Sequence, residues 1–442
     1  MRSMEELAAR RSLKKANQPV FLLSILALSL LAGCSSTTGS EQAQLDQEST
    51  ALPDLGAIGL ESAGVLAFSP EGVLFVGDNV GGAVHAFATG AGTAPEQSAP
   101  VEVAKIDAKV ASILGVAKED ITINDLAVHP VTREVYVSVT RGHGEAALPA
   151  IVKVDGNGNL TNVPLDTLEH SKQILSDVPD DSKRFQLRGL MMLPPSEKDR
   201  TKAETPMKMM SIMDIEYYNG ELFVAGLSNE EFASTVRRIP YPFTGSYGSS
   251  QIKMFHVAHD QWETRAPIRS MIATQLDGTD YLIASYTCSP VVLIPLDELK
   301  DGASVVGMTI GDMGNGQPID MVVFNHPMMQ KSYLFVTNNS RMPQMIPLDG
   351  LASAKVYTPE TIDRGMKMDL MGVFPLGAVG APVMFVGSSL QVDLLNDNFF
   401  VSLTRDAYTG DLDLESLMTA FPVRLHYLHA EYDFPGVEEP KM

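Results

Sequence analysis

Four aspartates occupy matching places along the chain. Asp125, Asp214, Asp320 and Asp369 each immediately precede the large apolar residue (Leu126, Ile215, Met321, Leu370) that opens an apolar run. Carboxylates brought to one place repel each other unless protons or a cation intervene. Oxygen ligands of this kind suit Ca²⁺, Mg²⁺ or Mn²⁺. The four are therefore read as a candidate metal set, with Ca²⁺ or Mg²⁺ as the ion. The alternative is structural, each carboxylate capping a turn or accepting backbone N–H groups of a neighbouring segment. Two related places lack the acid and hold Val65 and Ser270.

Other residues offer weaker chemistry. His256-x-x-His259 and His426-x-x-His429 have metal-ligand spacing. On a strand, however, i and i+3 point to opposite faces, so each pair meets only if a turn intervenes. His143, flanked by Gly142 and Gly144, is a candidate general base or ligand on a loop. Met207, Met209, Met210 and Met213 cluster near Met191 and Met192, and Met366, Met368 and Met371 form a second group. Thioethers are soft ligands for Cu(I), and equally they fill irregular cores. Cys288 is a lone thiol with no assignable partner. No Gly-x-Ser-x-Gly, phosphate-loop or Cys-x-x-Cys-His pattern occurs, which argues against α/β-hydrolase, nucleotide-hydrolysing and covalent c-type haem chemistry.

The elements that would position these residues are strands. Ser270-Met271-Ile272 leads to Tyr281–Ser285 and then Ile294-Pro295-Leu296-Asp297, and the same order returns in Asp320–Val323, Leu334–Asn338 and Ile346-Pro347-Leu348-Asp349. From 294 to 346 the repeat is 52 positions. A period of that size built from strands marks a β-propeller blade, whose first strand lines the central channel. The anchors Leu66, Leu126, Ile215, Met271, Met321 and Leu370 give intervals of 60, 89, 56, 50 and 49 residues. The fold class is thus all-β, a propeller of six blades, or seven if the interval of 89 hides one. Residues 156–211 fit no single blade and read as an insertion or a degenerate blade. Lys105–Lys118 carries Ile106, Val110, Ile113 and Leu114 at helical spacing.

Leu334-Phe335-Val336-Thr337-Asn338 resembles the Tyr-Val-Thr-Asn (YVTN) signature of bacterial surface propeller repeats. The Ser69-Pro70-Glu71-Gly72 turn resembles those of NHL and gluconolactonase-like propellers. The gluconolactonase likeness implies a divalent cation in the channel, although that class's mix of Glu, Asn and Asp ligands is not reproduced. Trp262 is the only tryptophan, so neither a Trp-Asp repeat nor a Trp-rich quinoprotein pattern is present.

The N-terminus supplies an address. Arg10, Arg11, Lys14 and Lys15 precede the apolar run Val20–Leu31, which is short for a membrane span and right for a signal peptide. Leu31-Ala32-Gly33-Cys34 resembles the bacterial lipoprotein lipobox, which implies cleavage before Cys34 and a lipid anchor on its thiol. Expected domains are a signal peptide over 1–33, a polar tether over 34–51 and the propeller over 52–442. Ser35 after the cysteine resembles outer-membrane sorting.

The 442 residues carry 33 basic and 54 acidic side chains, a formal charge of −21. Loss of 1–33 leaves 28 basic against 52 acidic, or −24. Such a surface repels phosphate backbones, so no nucleic-acid partner is expected. Two cysteines with different roles give no disulfide framework. The expected function is a lipid-anchored, periplasm-facing envelope scaffold that binds a protein or small ligand. A lactonase- or esterase-like metal-dependent hydrolase and a copper-handling or electron-transfer accessory are the alternatives.

Overall fold

In the computed structural model the described residues are 55–97, 99–186, 204–287, 289–313, 317–339, 342–362, 376–377, 388–406 and 409–422. The expected signal peptide and tether, Cys34, Asp369, Cys288, His426 and His429 lie outside them, as do Met191, Met192 and the methionines at 366, 368 and 371.

The described residues are nearly all β, and the hairpins form where turn chemistry meets apolar runs. Leu66–Phe68 pairs antiparallel with Val73–Asp78 across the Pro70–Gly72 turn. Gly72 has φ +82°, and a Cβ there would lie 2.5 Å from the Gly90 carbonyl, so glycine is required. Leu74, Phe75 and Val76 are all fully buried, which makes this a central strand covered on both faces.

Six antiparallel meanders follow in chain order among the described residues. The first is Leu66–Phe68, Val73–Asp78 and Ala83–Ala88; the second runs from Ile121–Val128 to Leu160–Asn162. The third and fourth begin at Asp214–Tyr218 and Ile268–Leu276, and their outermost strands, Gly248–His256 and Ser304–Asp312, pair in parallel. The fifth begins at Pro318–His326 and the sixth at Ser388–Asn396. The first strands pack against one another in a closed ring, in the order second, first, third, fourth, fifth, sixth and back to second. This is a propeller arrangement, with each meander standing edge-on to a central channel.

Two outer strands explain the anomalous stretch. Leu160–Asn162 closes the second meander, whereas His170–Ile174 returns to pair with Ala83–Ala88 of the first. Residues 156–211 thus begin as outer strands of two different meanders. A second crossover closes the ring: Val103 exchanges backbone hydrogen bonds of 2.8 and 3.0 Å with Leu414 on the last strand of the sixth meander. Both crossovers connect segments far apart in sequence, which no local pattern encodes.

The expected helix is confirmed as Ile106–Ile113. Ile106, Val110 and Leu114 pack into one cluster with Val137 and Val139 of the second meander and Leu403 and Leu414 of the sixth. Each such buried aliphatic side chain contributes about 1.5–3 kcal/mol. The helix therefore wedges the junction that the Val103–Leu414 pair closes.

The expected sixth unit at Asp369 lies outside the described residues. The sixth meander starts at Ser388, with Phe399–Arg405 as its second strand. Its signal is Asp393-Leu394, an acid before a large apolar residue as in the earlier repeats. Among the described residues no helix is long and apolar enough to cross a membrane.

Candidate functional site

The acid preceding the apolar anchor is placed by the first strand of its meander, close to the channel. Asp125, Asp214, Asp320 and Asp393 each use their two oxygens in the same way. One oxygen accepts from the next residue of its own strand: Ile215 to Asp214 at 2.9 Å, Met321 to Asp320 at 2.7 Å and Leu394 to Asp393 at 2.6 Å. The other accepts from the first strand of the next meander in the ring. Leu66 N–H reaches Asp125 at 2.8 Å, Met271 reaches Asp214 at 2.6 Å, Val392 reaches Asp320 at 2.9 Å, and Val128 reaches Asp393 at 2.7 Å.

All four clasps run in one rotational sense. The meanders that make none toward the next are the first and the fourth, where Val65 and Ser270 stand in place of the acid. The structural alternative for the aspartates is therefore what the hydrogen bonds display. Asp393 makes this clasp in the sixth meander, and Asp369 lies outside the described residues.

The same carboxylates also face a cavity of about 330 Å³ lined by all four aspartates and Glu216. Sequence reasoning missed Glu216, two positions after Asp214 and therefore on the same face of its strand. Its Oε1 accepts the Ala273 N–H at 3.2 Å. All five acids are half-buried.

Burial dominates their electrostatics. It pushes Asp214 up to about 7, against the pull of the Met271 and Ile215 N–H groups and the nearby Arg269 charge. Glu216 rises to about 8 through burial, with Asp214 and Asp393 adding repulsion. Asp393 rises to about 6, again through burial. Asp125 and Asp320 are both raised, first by burial and then by neighbouring acids, Asp214 acting on both and Asp125 on Asp320. Burial and mutual repulsion thus both favour the neutral form of these acids.

The acids do not form a tight inner-sphere cage. Among the described residues, the set of three acidic, His or Cys groups whose ligand atoms lie within 4.8 Å of one another is His256, His259 and Glu263, and no channel trio does so.

The remaining candidates are placed separately. The turn required between His256 and His259 is present: Asp260 N–H bonds Val257 O at 3.2 Å, and the chain returns in Gln261–Glu263. His143 is exposed, with Nε2 2.9 Å from the Glu119 carbonyl, and lies outside the channel lining. Met207–Met210 form a 3₁₀ turn, with Met209 exposed.

No family model and no curated protein matches the chain. Solved structures resemble it loosely. A glucose dehydrogenase aligns at 13% identity and TM-score 0.28, over 81% of this chain and 96% of its own. The soluble aldose sugar dehydrogenase from Escherichia coli, in its apo-form, aligns at 12% and 0.28 over the same shares. The plexin A4 extracellular region aligns at 7% and 0.34, over 81% of this chain and 46% of its own. At TM-scores this low the likeness supports no inference about site or activity.

Proposed function

We propose that this chain is a six-bladed β-propeller, lipid-anchored through Cys34 in the bacterial cell envelope, that acts as a binding scaffold and takes a hydrated divalent cation in its acid-lined channel. The observation that carries the ligand reading is the cavity itself, where five carboxylates face one space of about 330 Å³. Ca²⁺ and Mg²⁺ are the candidate ions, bound through their water shells by Glu216 Oε2 and by the second lone pairs of the aspartate oxygens. Six first strands in a closed ring support the blade count.

The lipobox-like Leu31–Cys34 supports the anchor, and Ser35 supports the outer membrane as its address. The anionic surface supports a small-ligand or envelope-protein partner over nucleic acid. Two experiments test this reading. Calcium or magnesium binding by the full chain should weaken in Glu216→Gln. Metabolic labelling with a radioactive fatty acid should mark the wild type and not Cys34→Ala.

One observation favours a second reading, a lactonase- or esterase-like hydrolase. Asp214 near 7 and Glu216 near 8 are tuned for proton transfer at neutral pH in a solvent-reachable cavity. A bound cation would polarise the substrate carbonyl, and Glu216 would carry the proton. Lactone hydrolysis lost in Glu216→Gln supports that reading; no turnover above buffer across a lactone and ester panel leaves the binding scaffold.

A further inference from the structure

The geometry points to a transition-metal site on the outer edge of the propeller, formed by His256 Nδ1, His259 Nδ1 and Glu263 Oε1 and suited to Zn²⁺. It lies on the Gly248–His256 strand and the Gln261–Glu263 strand that folds back on it, remote in sequence from every channel acid. His256 pairs with Gln261 across this hairpin, so Glu263 shares a face with it, and the Val257–Asp260 turn brings His259 to the same carboxylate.

Both histidine nitrogens lie within hydrogen-bond distance of Glu263 Oε1, inside the spacing of ligands around one ion, and all three ligand atoms lie within 4.8 Å of one another. His256 Nδ1 lies 3.0 Å and His259 Nδ1 2.5 Å from Glu263 Oε1, and the two ring centroids are 4.0 Å apart. Ligands at 2.0–2.1 Å around a tetrahedral ion stand about 3.3 Å from each other. Two imidazoles and a carboxylate are a donor set for borderline divalent metals, not for Ca²⁺ or Mg²⁺.

A second observation comes from the far side of His256. Its Nε2 lies 3.6 Å from Asp312 Oδ2, with both side chains almost wholly buried. Asp312 Oδ1 in turn accepts the Ser289 hydroxyl at 2.6 Å. A neutral imidazole carries one N–H and one lone pair. Whichever nitrogen of neutral His256 holds the proton, the lone pair of the other faces a carboxylate. A metal on Nδ1 removes this conflict: the lone pair binds the ion, and Nε2–H is left facing the Asp312 carboxylate. Metal-bound histidines are commonly oriented by such a carboxylate. The rival is an imidazolium clamped between Glu263 and Asp312 with no ion. His259 is exposed, so the fourth position opens toward solvent.

The test is titration of chelator-treated full chain with zinc chloride by calorimetry, and with cobalt chloride by visible absorption. One equivalent should bind, with the intense d–d bands of a tetrahedral cobalt site. His259→Ala, an exposed position that spares the fold, and Glu263→Gln should each weaken zinc by at least about 10-fold, and Asp312→Asn by about 10–100-fold. Glu216→Gln in the channel should leave zinc affinity unchanged. Absence of zinc uptake, equal affinity in His259→Ala and Glu263→Gln, or loss of zinc in Glu216→Gln would each overturn the assignment. The channel reading is untouched by any of these zinc results at His259.

Discussion

The backbone N–H of Val392 donates to Asp320 Oδ2 at 2.9 Å across 72 positions of sequence, joining the fifth meander to the sixth. Three equivalent bonds join other neighbours, so carboxylates that line the channel also hold the ring together. The two roles oppose each other energetically. The N–H groups stabilise the charged form, while burial and the other acids disfavour it.

Asp320→Ala should destabilise the protein by about 1–3 kcal/mol for each of the two N–H groups left without a partner. Asp320→Asn keeps one acceptor oxygen and should cost less. Chemical denaturation of both variants checks this ordering; equal loss in the two would show that the clasp contributes little.

Stability should fall as pH rises from about 4 to 8. The folded values of Asp393, Asp214 and Glu216, near 6, 7 and 8, lie above the unfolded carboxylate range near 4. The folded protein therefore binds more protons than the unfolded chain in this window. The contribution is complete below about pH 4 and is lost as pH climbs through the folded values. Asp78 and Glu263 behave oppositely. Burial alone would raise them, yet the nearby His85 ring and the N–H groups of Glu61 and Gly81 hold Asp78 low, and hydrogen bonds to His256 and His259 hold Glu263 at about 2. Their stabilisation is lost as pH falls below about 4. Melting temperatures in chelator should peak near pH 5, and Glu216→Gln should flatten the fall toward pH 8.5. A melting temperature that rises over that range contradicts the account.

Val103→Pro removes the N–H that Val103 donates to Leu414 and should open the junction between the second and sixth meanders. The expected result is a loss of roughly 3 kcal/mol and faster proteolysis in residues 90–100. Unchanged cleavage would mean that the helix Ile106–Ile113 holds the junction by itself.

Arg237 is fully buried and satisfied on all sides. Nε donates to Asp177 at 2.7 Å, Nη1 to Ser211 O at 2.7 Å and Nη2 to Leu227 O at 2.9 Å. Arg237→Ala should cost about 3–5 kcal/mol, since it strips Asp177 of its cation. Arg237→Lys should recover only part of this, because an ammonium cannot reproduce the fork. Denaturant midpoints for the two variants check the ranking.

The repeat was legible because each hairpin is local: Leu66–Val76, Met271–Ala284 and Met321–Val336 announce themselves by turn residues between apolar runs. The Asp-apolar pattern was legible for the same reason, and it led to Asp125, Asp214 and Asp320. Glu216 escaped because nothing in Glu-Tyr-Tyr marks a channel face before the strand register is known. Asp393 escaped because Leu394-Leu395 is cut short by Asn396, so no long apolar run marks its strand. The outer strands were hidden for a different reason. His170–Ile174 and Val103 pair with partners far away in sequence, and an exposed outer strand carries little apolar periodicity. The His256–His259 pair was legible only conditionally, since the turn at Asp260 decides whether the rings meet.

The central claim is tested most directly by calorimetric titration of the full chain with magnesium and calcium chloride at pH 8, where the channel is more ionised than at neutral pH. The account predicts one binding event, weakened at least about 10-fold in Glu216→Gln and unchanged in His259→Ala. No binding of either ion, or equal binding in wild type and Glu216→Gln, would contradict it and leave the channel carboxylates as clasps alone.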